Sequence, residues 1–457
     1  MLGCRRQSRC RAAHVTTSET ALTSVPTSSP SSPSSPSSAS SAAPAAAAKP
    51  ACANPAATRQ RPHTGRVWWL ALTVFLVGID ENICTGILPA IATGLNVSTA
   101  SAGQLTTIFS AVFALWAFTM AAWLSRHSRR RALLVALVVF ALSNVAAALA
   151  PDYAALFVTR IAMAASCATI VLLCSRLATD ITPPEYHGRA VGIIFMGISA
   201  SLVLGVPLGM TLEHWAGWRA VFAAIALASA PLVFVLWRVL PPSAPSAVLT
   251  LRTYVRALAQ PRRLAAQGVT IAMLGGHFTL FAYLVPYLES LFAPSPHTMS
   301  LLFLAFGVAG VAGAWLGGWA ADRVGPVASL LGCPALFFVA MMSVPLAALH
   351  YHGDIWQTVF FLVAMMVWGS LSWSISPVVQ NHLIRSAPHD ADANVGVNVA
   401  AMHVGVALGA GAGGALVDID ALALTPWAGC AMVAAAVLCA WLATRGGQSC
   451  QGLQGHG

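Results

Sequence analysis

The sequence predicts an all-α membrane protein with twelve spanning helices, arranged as two halves of six. Three observations carry that prediction. The chain of 457 residues is 57% hydrophobic and only 8% charged, whereas soluble domains carry about a quarter charged residues. From Val67 onward, apolar runs alternate with short polar breaks. Each run approaches the ~20 residues that cross ~30 Å of hydrocarbon as a helix. Arginine is distributed one-sidedly over the breaks between those runs.

Residues 1–62 are low-complexity: Thr27-Ser28-Ser29-Pro30 runs on through Ser/Pro repeats to Ala45–Ala48. Such a composition cannot bury a core, so a disordered extension is expected. It lacks the continuous apolar stretch of a signal peptide. Six apolar runs follow, near 67–90, 104–124, 131–150, 154–178, 189–213 and 219–239, and form a first half, 67–239. Residues 240–264 are polar and hold Pro241, Pro242, Pro245 and four arginines, which reads as a linker. Six further runs, near 265–291, 298–321, 327–349, 355–378, 392–417 and 425–443, form the second half, 265–443, and residues 444–457 form a tail.

One set of breaks holds Arg126, Arg129, Arg130 and Arg131, then Arg176 and Arg189, then the linker arginines Arg252, Arg256, Arg262 and Arg263, then Arg323, Arg385 and Arg445. The other set holds only Arg219, together with Asp152, Glu213, Glu289, Asp354, Asp418 and Asp420. Basic loops stay cytoplasmic. Both termini and the linker are therefore expected in the cytoplasm of a bacterial-type inner membrane, with an even number of spans. Trp68, Trp69, Trp215, Trp218 and Trp427 fall at predicted helix ends and read as interfacial anchors.

Several function classes lose support. The formal charge is +10, but 8 of the 24 basic residues precede Val67. With no soluble domain to carry them, they do not form a nucleic-acid surface. The ten cysteines are scattered without a CxxC pair, so neither a disulfide framework nor a metal site is expected. The sequence has no HExxH, no Walker A and no GxGxxG after a strand. No nucleophile–base constellation is visible either, so no enzyme activity and no cofactor are expected.

Asp80 and Glu81 lie inside the first apolar run, flanked by Val67–Val77 and Ile83–Ala92. A charge at that depth costs roughly 2.5–3.5 kcal/mol on insertion scales, and such residues are usually functional. A protonatable carboxylate there suits proton coupling. Adjacent helical residues point about 100° apart, so the two cannot both face one cavity squarely. Arg160, in the fourth run, is the obvious partner for one of them, and it stays charged at any physiological pH. His277, after Gly275-Gly276, and His403 can hydrogen-bond a ligand or titrate near neutrality. Phe281 and Tyr283 offer rings for stacking. Packing is the bland alternative for all four.

The six-plus-six layout, with Gly317-Gly318-Trp319-Ala320-Ala321-Asp322-Arg323-Val324-Gly325 between the eighth and ninth runs, resembles the major facilitator superfamily and its GxxxDRxG loop. The resemblance implies a gating role for Asp322 and Arg323. Glycines permit close helix contact there, and charge-assisted contacts can hold a gate. The corresponding loop of the first half is degenerate, with Ser125 at the acidic position. A narrower resemblance rests on Gly78-x-x-Glu81-x4-Gly86-Ile87-Leu88-Pro89, on Ala102-Gly103-Gln104-Leu105, on Gly197-x7-Gly205-Val206-Pro207-Leu208-Gly209 and on Gly217-Trp218-Arg219. These are similar to the sugar-efflux branch of the drug:proton antiporters, which itself resembles the chloramphenicol exporters. The fifth-helix motif implies a pliable helix, with Gly205, Pro207 and Gly209 packing closely against the other half. Asp80-Glu81-Asn82, where the branch favours Thr-Glu-Phe, and His403, where it favours an asparagine, are departures.

The resemblance implies a monomeric secondary transporter in the lipid bilayer. It would export a sugar, a related metabolite or a drug in exchange for protons, with Glu81, Asp80 and Arg160 coupling protons and His277, Phe281, Tyr283 and His403 lining a substrate cavity. An importer, a uniporter and a non-transporting sensor are the alternatives. The substrate, and which of the two carboxylates titrates, are not fixed by the residues.

Overall fold

The computed structural model describes residues 64–124, 127–183, 186–242, 256 and 258–445. The expected disordered extension 1–62, Ser125, Arg126, Arg252 and the tail beyond 445 lie outside the described residues. Twelve helices among those described are long and apolar enough to cross a membrane. They are α1 (Thr64–Gly86, continued by Leu88–Leu95), α2 (Thr99–Leu124), α3 (Arg129–Ala148), α4 (Tyr153–Asp180), α5 (His187–Ala200, Ser201–Gly205 and Val206–Ala216) and α6 (Trp218–Val239). The second half comprises α7 (Pro261–Phe281, continued by Leu284–Phe292), α8 (Pro296–Arg323), α9 (Pro326–Leu349), α10 (Ile355–Ser386), α11 (Ala391–Asp418) and α12 (Thr425–Thr444).

Local chemistry starts and interrupts these helices. Ser128, Asp152, Ser295 and Asp354 each accept a hydrogen bond from a first-turn backbone N–H of α3, α4, α8 and α10, satisfying donors the helix leaves open. The sequence predicts unbroken first and seventh helices, but both are interrupted. Ile87 (φ −110°) and Tyr283 (φ −117°) leave helical geometry, shortly before Pro89 and Pro286, which cannot donate to the preceding turn. In α5, Ser201–Gly205 is a π-helical turn just before Pro207. The missing N–H of Pro207 frees the carbonyl of Val203, and a widened turn absorbs the mismatch.

The two halves meet along two seams. In the first, α2 lies against α11. The Phe113 and His403 rings stack at 3.6 Å, and Thr107 meets Gly411. In the second, α5 lies against α8. Gly307 meets the backbone of Leu202 and Val203, and Ser300 donates to the carbonyl of Pro207 at 3.1 Å. All of these contacts lie between the middle of the bundle and the end opposite the arginine-rich breaks, and that end is closed.

One expectation needs correcting. Gly205 and Gly209 do not face the other half. A Cβ at either would run into Ile79 or Ile83 of α1, and one at Gly197 into the carbonyl of Ala71. The glycines share the face of α5 that packs on α1, within their own half. The π-turn rotates Leu202, Val203 and the Pro207 carbonyl toward α8 instead. Trp218 is likewise no interfacial anchor: it is buried beneath the Arg219 guanidinium, 4.1 Å from the ring. Arg219 donates to the carbonyl of Ala150 at 2.9 Å and so closes the end of α3.

Candidate functional site

The first-half centre is an ion pair with no water contact. Arg160 Nη1 donates to Asp80 Oδ2 at 3.3 Å and to the Asp80 carbonyl at 3.1 Å. Both side chains are 0% exposed. The α1 segment carries Asp80 roughly 24 Å along the helix axis from Thr64, and α4 brings Arg160 to meet it. The guanidinium lies 4.4 Å from the Phe109 ring of α2, a desolvated cation–π arrangement. The Cys167 thiol is 4.0 Å from Asp80 Oδ2, and Asn144 of α3 lies beside the same carboxylate. Among the described residues, Asp80 Oδ1 and Arg160 Nε and Nη2 have no hydrogen-bond partner. A buried pair satisfied on one edge only is poised: attraction holds it, but the unused donors and acceptor remain costly.

Glu81 differs from its neighbour. It is half-buried, its helical position turns it away from the Asp80–Arg160 contact, and among the described residues it makes no hydrogen bond or ion pair. It still lies within electrostatic reach of both. Asn82 folds back to donate to the Gly78 carbonyl at 3.1 Å, so the extra polarity of Asp80-Glu81-Asn82 is absorbed within α1 at that position. With Glu81 ionised, the three groups sum to −1; protonation of Glu81 brings them to zero.

The four predicted cavity residues do not form one cavity in this conformation. His277 is 1% exposed, Phe281 2%, Tyr283 0% and His403 7%. His277 and Phe281 point into the second-half bundle, among Phe306 of α8 and Trp368 of α10. Tyr283 and His403 lie on the α2–α11 seam. The reason is the helical register combined with the break in α7, which turns Tyr283 away from the face that carries His277. Tyr283 donates to the Ala410 carbonyl at 3.1 Å. Its hydroxyl occupies the space that a Cβ on Gly103 or Gly414 would need, so it bridges α7, α11 and the start of α2 in the other half.

At the arginine-rich end, Asp322 Oδ1 accepts from Asn381 Nδ2 at 3.1 Å and from Arg385 Nη2 at 3.4 Å, both on α10. These contacts are exposed and stay within the second half. Arg323 makes no comparable contact among the described residues.

Sequence reasoning missed two clusters. One is the ring set around His277. The other is a buried amide network on α7 and α11: Asn398 Nδ2 donates to Gln267 Oε1 and Thr270 Oγ1, each at 2.9 Å, and Gln267 Nε2 donates to the Asn394 carbonyl at 3.2 Å. Among the described residues, Asn394 and Asn398 retain unpaired amide atoms. Polar residues inside apolar runs are the available signal, and amides carry it as charges and histidines do.

The family model of the Major Facilitator Superfamily matches residues 70–284 and 268–449. The uncharacterized MFS-type transporter YbcL of Bacillus subtilis (strain 168) is 33% identical over 381 residues, 83% of this chain and 96% of that protein. The chloramphenicol efflux pump Rv0191 of Mycobacterium tuberculosis (strain ATCC 25618 / H37Rv) is 30% identical over 381 residues, 82% of this chain and 92% of that protein. Among solved structures, a bacterial homolog of the human lysosomal transporter Spinster, inward-facing and unoccupied, matches with a TM-score of 0.70 at 17% identity, covering 84% of this chain and 98% of that one. At that identity the likeness speaks for the fold. The twelve apolar helices, the two packed halves and these matches place the chain in the Major Facilitator Superfamily: it is a multi-pass membrane transporter and not an enzyme.

Proposed function

We propose that this transporter exports a small organic molecule in exchange for protons, with Glu81 as the group that takes up and releases the proton. The observation that carries this reading is the division of labour on α1: Asp80 is sealed against Arg160, while Glu81, one residue on, is half-buried and uncommitted.

The coupling follows from charge. A net −1 centre at membrane depth is costly to enclose. With Glu81 ionised and no substrate bound, enclosure is disfavoured. Protonation removes that charge, and a substrate that hydrogen-bonds the carboxylate or draws on the unused Arg160 donors offsets it. Proton and substrate are thus alternative licences for the same rocking step, and each shifts the balance between the two faces by its differential binding. In this reading both termini face the cytoplasm, the closed end faces outward, and the Asp322 contacts to Asn381 and Arg385 bias the equilibrium from the cytoplasmic end. Similarity to an efflux pump supports the outward direction.

The test is proton flux in liposomes holding purified protein and an internal pH dye. Pentoses, hexoses, nucleosides, amino acids and amphenicols are added in turn. One class is expected to drive a pH change that Glu81→Gln abolishes, while labelled substrate still equilibrates down its own gradient in the mutant. Intact proton-coupled flux in Glu81→Gln would sink the assignment.

A further inference from the structure

A concentration of charge on the outside of the first half is not used by the coupling centre. α3 and α6 pack side by side. At the arginine-rich end, Arg130 of α3 donates to the Trp237 carbonyl of α6. Arg131 and Arg238 each follow one member of that contact by a single residue, so they stand close together at the ends of the two helices. Both are exposed. The Arg238 guanidinium lies 5.1 Å from the Phe234 ring and 5.6 Å from the Trp237 ring. Among the described residues neither arginine has a carboxylate partner, whereas Arg129, on another side of α3, is paired with Asp180.

These arginines differ from charges in a loop. By helical spacing, Arg131 shares one face of α3 with Val135, Val138 and Leu142, and Arg238 shares one face of α6 with Phe234, Pro231 and Leu227. All of these apolar residues are exposed. Two lipid-facing stripes therefore run side by side and end at the two guanidinia. Trp237, about half exposed, stands at the same level, where tryptophan marks the headgroup zone. Neither α3 nor α6 contains an acidic residue.

We propose that Arg131, Arg238 and Trp237 form a binding site for an anionic phospholipid in the leaflet at the arginine-rich end. A guanidinium grips a phosphodiester with two parallel N–H donors, and an indole N–H is suited to a glycerol or ester oxygen. The acyl chains then lie along the apolar stripes of α3 and α6. Charge selects the headgroup. Phosphatidylglycerol brings a negative phosphate and no positive group. The ammonium of phosphatidylethanolamine meets two cations and no carboxylate on either helix, so it cancels part of what its phosphate gains. Basic residues at a membrane surface attract anionic lipid in general; here two of them converge above a paired apolar furrow, which makes a site and not a diffuse field. The inference concerns the lipid face of the first half and holds whether or not the protein exchanges protons.

The test is native mass spectrometry of the full chain purified in detergent, titrated with phosphatidylglycerol and with phosphatidylethanolamine of the same acyl chains. One phosphatidylglycerol is expected to be retained in clear preference to phosphatidylethanolamine. Arg131→Gln with Arg238→Gln should weaken that binding roughly thirtyfold, at about fivefold for each basic residue lost beside an anionic lipid. Arg131→Lys with Arg238→Lys keeps the charge without the fork and should fall between the two. Arg256→Gln with Arg262→Gln removes the same charge at the same end, from around the start of α7, and should leave the affinity unchanged. The substituted side chains are exposed, so the fold should be kept, and near-UV circular dichroism checks it; if the glutamine pair unfolds, Arg131→Gln alone carries the test, with about fivefold weaker binding expected. Equal retention of the two lipids, unchanged affinity on removing Arg131 and Arg238, or equal weakening by the Arg256 and Arg262 pair would overturn the proposal.

Discussion

Replacing Asp80 by asparagine tests the charge centre most directly. The substitution keeps the size of the side chain but removes the counter-charge of Arg160. Arg160 is fully buried, its Nη1 spans 3.3 Å to the lost carboxylate, and its Nε and Nη2 already lack partners. The Asp80 carbonyl at 3.1 Å, the Met163 sulfur at 3.6 Å and the Phe109 face at 4.4 Å remain. Removing one member of a buried pair costs about 3–5 kcal/mol. The cation–π contact, worth about 2 kcal/mol when desolvated, is already present in the wild type and offsets none of that loss. Replacing both members with apolar or neutral side chains is often neutral or stabilising by about 1–4 kcal/mol, so Asp80→Asn with Arg160→Met should recover most of the stability. The assay is a double-mutant cycle on unfolding of the purified protein in mixed micelles, read by near-UV circular dichroism. A coupling free energy above about 2 kcal/mol is expected, well beyond the ~0.5 kcal/mol scatter of independent sites. The double variant should fold and fail to couple protons. If Asp80→Asn costs under about 1 kcal/mol and the two changes add, Asp80 is not the structural partner of Arg160. A large cost for Glu81→Gln in the same cycle would hand that role to Glu81.

Three further outcomes follow from the packing. Gly103→Ala places a methyl where the Tyr283 hydroxyl sits; overpacking costs about 1–3 kcal/mol and should populate a form separated at the now-closed end, read as a longer spin-label distance between Leu95 and Phe292 and reversed by Tyr283→Ala. An unchanged distance would mean that Tyr283 yields freely and does not brace that end. His277→Phe removes two buried unpaired nitrogens and should raise the stability of the ligand-free protein by about 1–3 kcal/mol; a loss of that size in denaturant unfolding would show that the nitrogens have partners. Asn398→Ala strips Gln267 and Thr270 of a shared donor and should cost about 1–3 kcal/mol, whereas Asn394→Ala, whose side-chain amide is unpaired, should cost less in the same measurement.

The twelve helices were legible because the bilayer admits few solutions. Backbone polar groups must be satisfied within each span, so an apolar run of the right length is already a helix, and the arginine asymmetry orders the breaks. The interruptions at Ile87 and Tyr283 were harder to see, because Pro89 and Pro286 lie past the positions they disturb. The glycine–proline motif of α5 is legible in the sequence but the face it presents is not: one π-turn at Ser201–Gly205 rotates the chain, and Pro207 beyond it marks the turn only indirectly. At the site, Asp80, Glu81 and Arg160 stood out through the cost of charge in hydrocarbon. Phe109, Phe306 and Trp368 did not, since an aromatic residue in an apolar run is unremarkable until its neighbours are known.

The sequence by itself determined which solvent the chain lives in, how many times it crosses and which residues are too costly to lie at depth without a purpose. Those are properties of composition and length, additive along the chain. The tertiary structure alone decided that Arg160 takes Asp80 and leaves Glu81 uncommitted, that His277 is enclosed by rings while Tyr283 braces the seam, and that one end of the bundle is closed. Each depends on which helical face meets which neighbour, and a 100° turn per residue, compounded by two breaks and a π-turn, cannot be summed from local preferences.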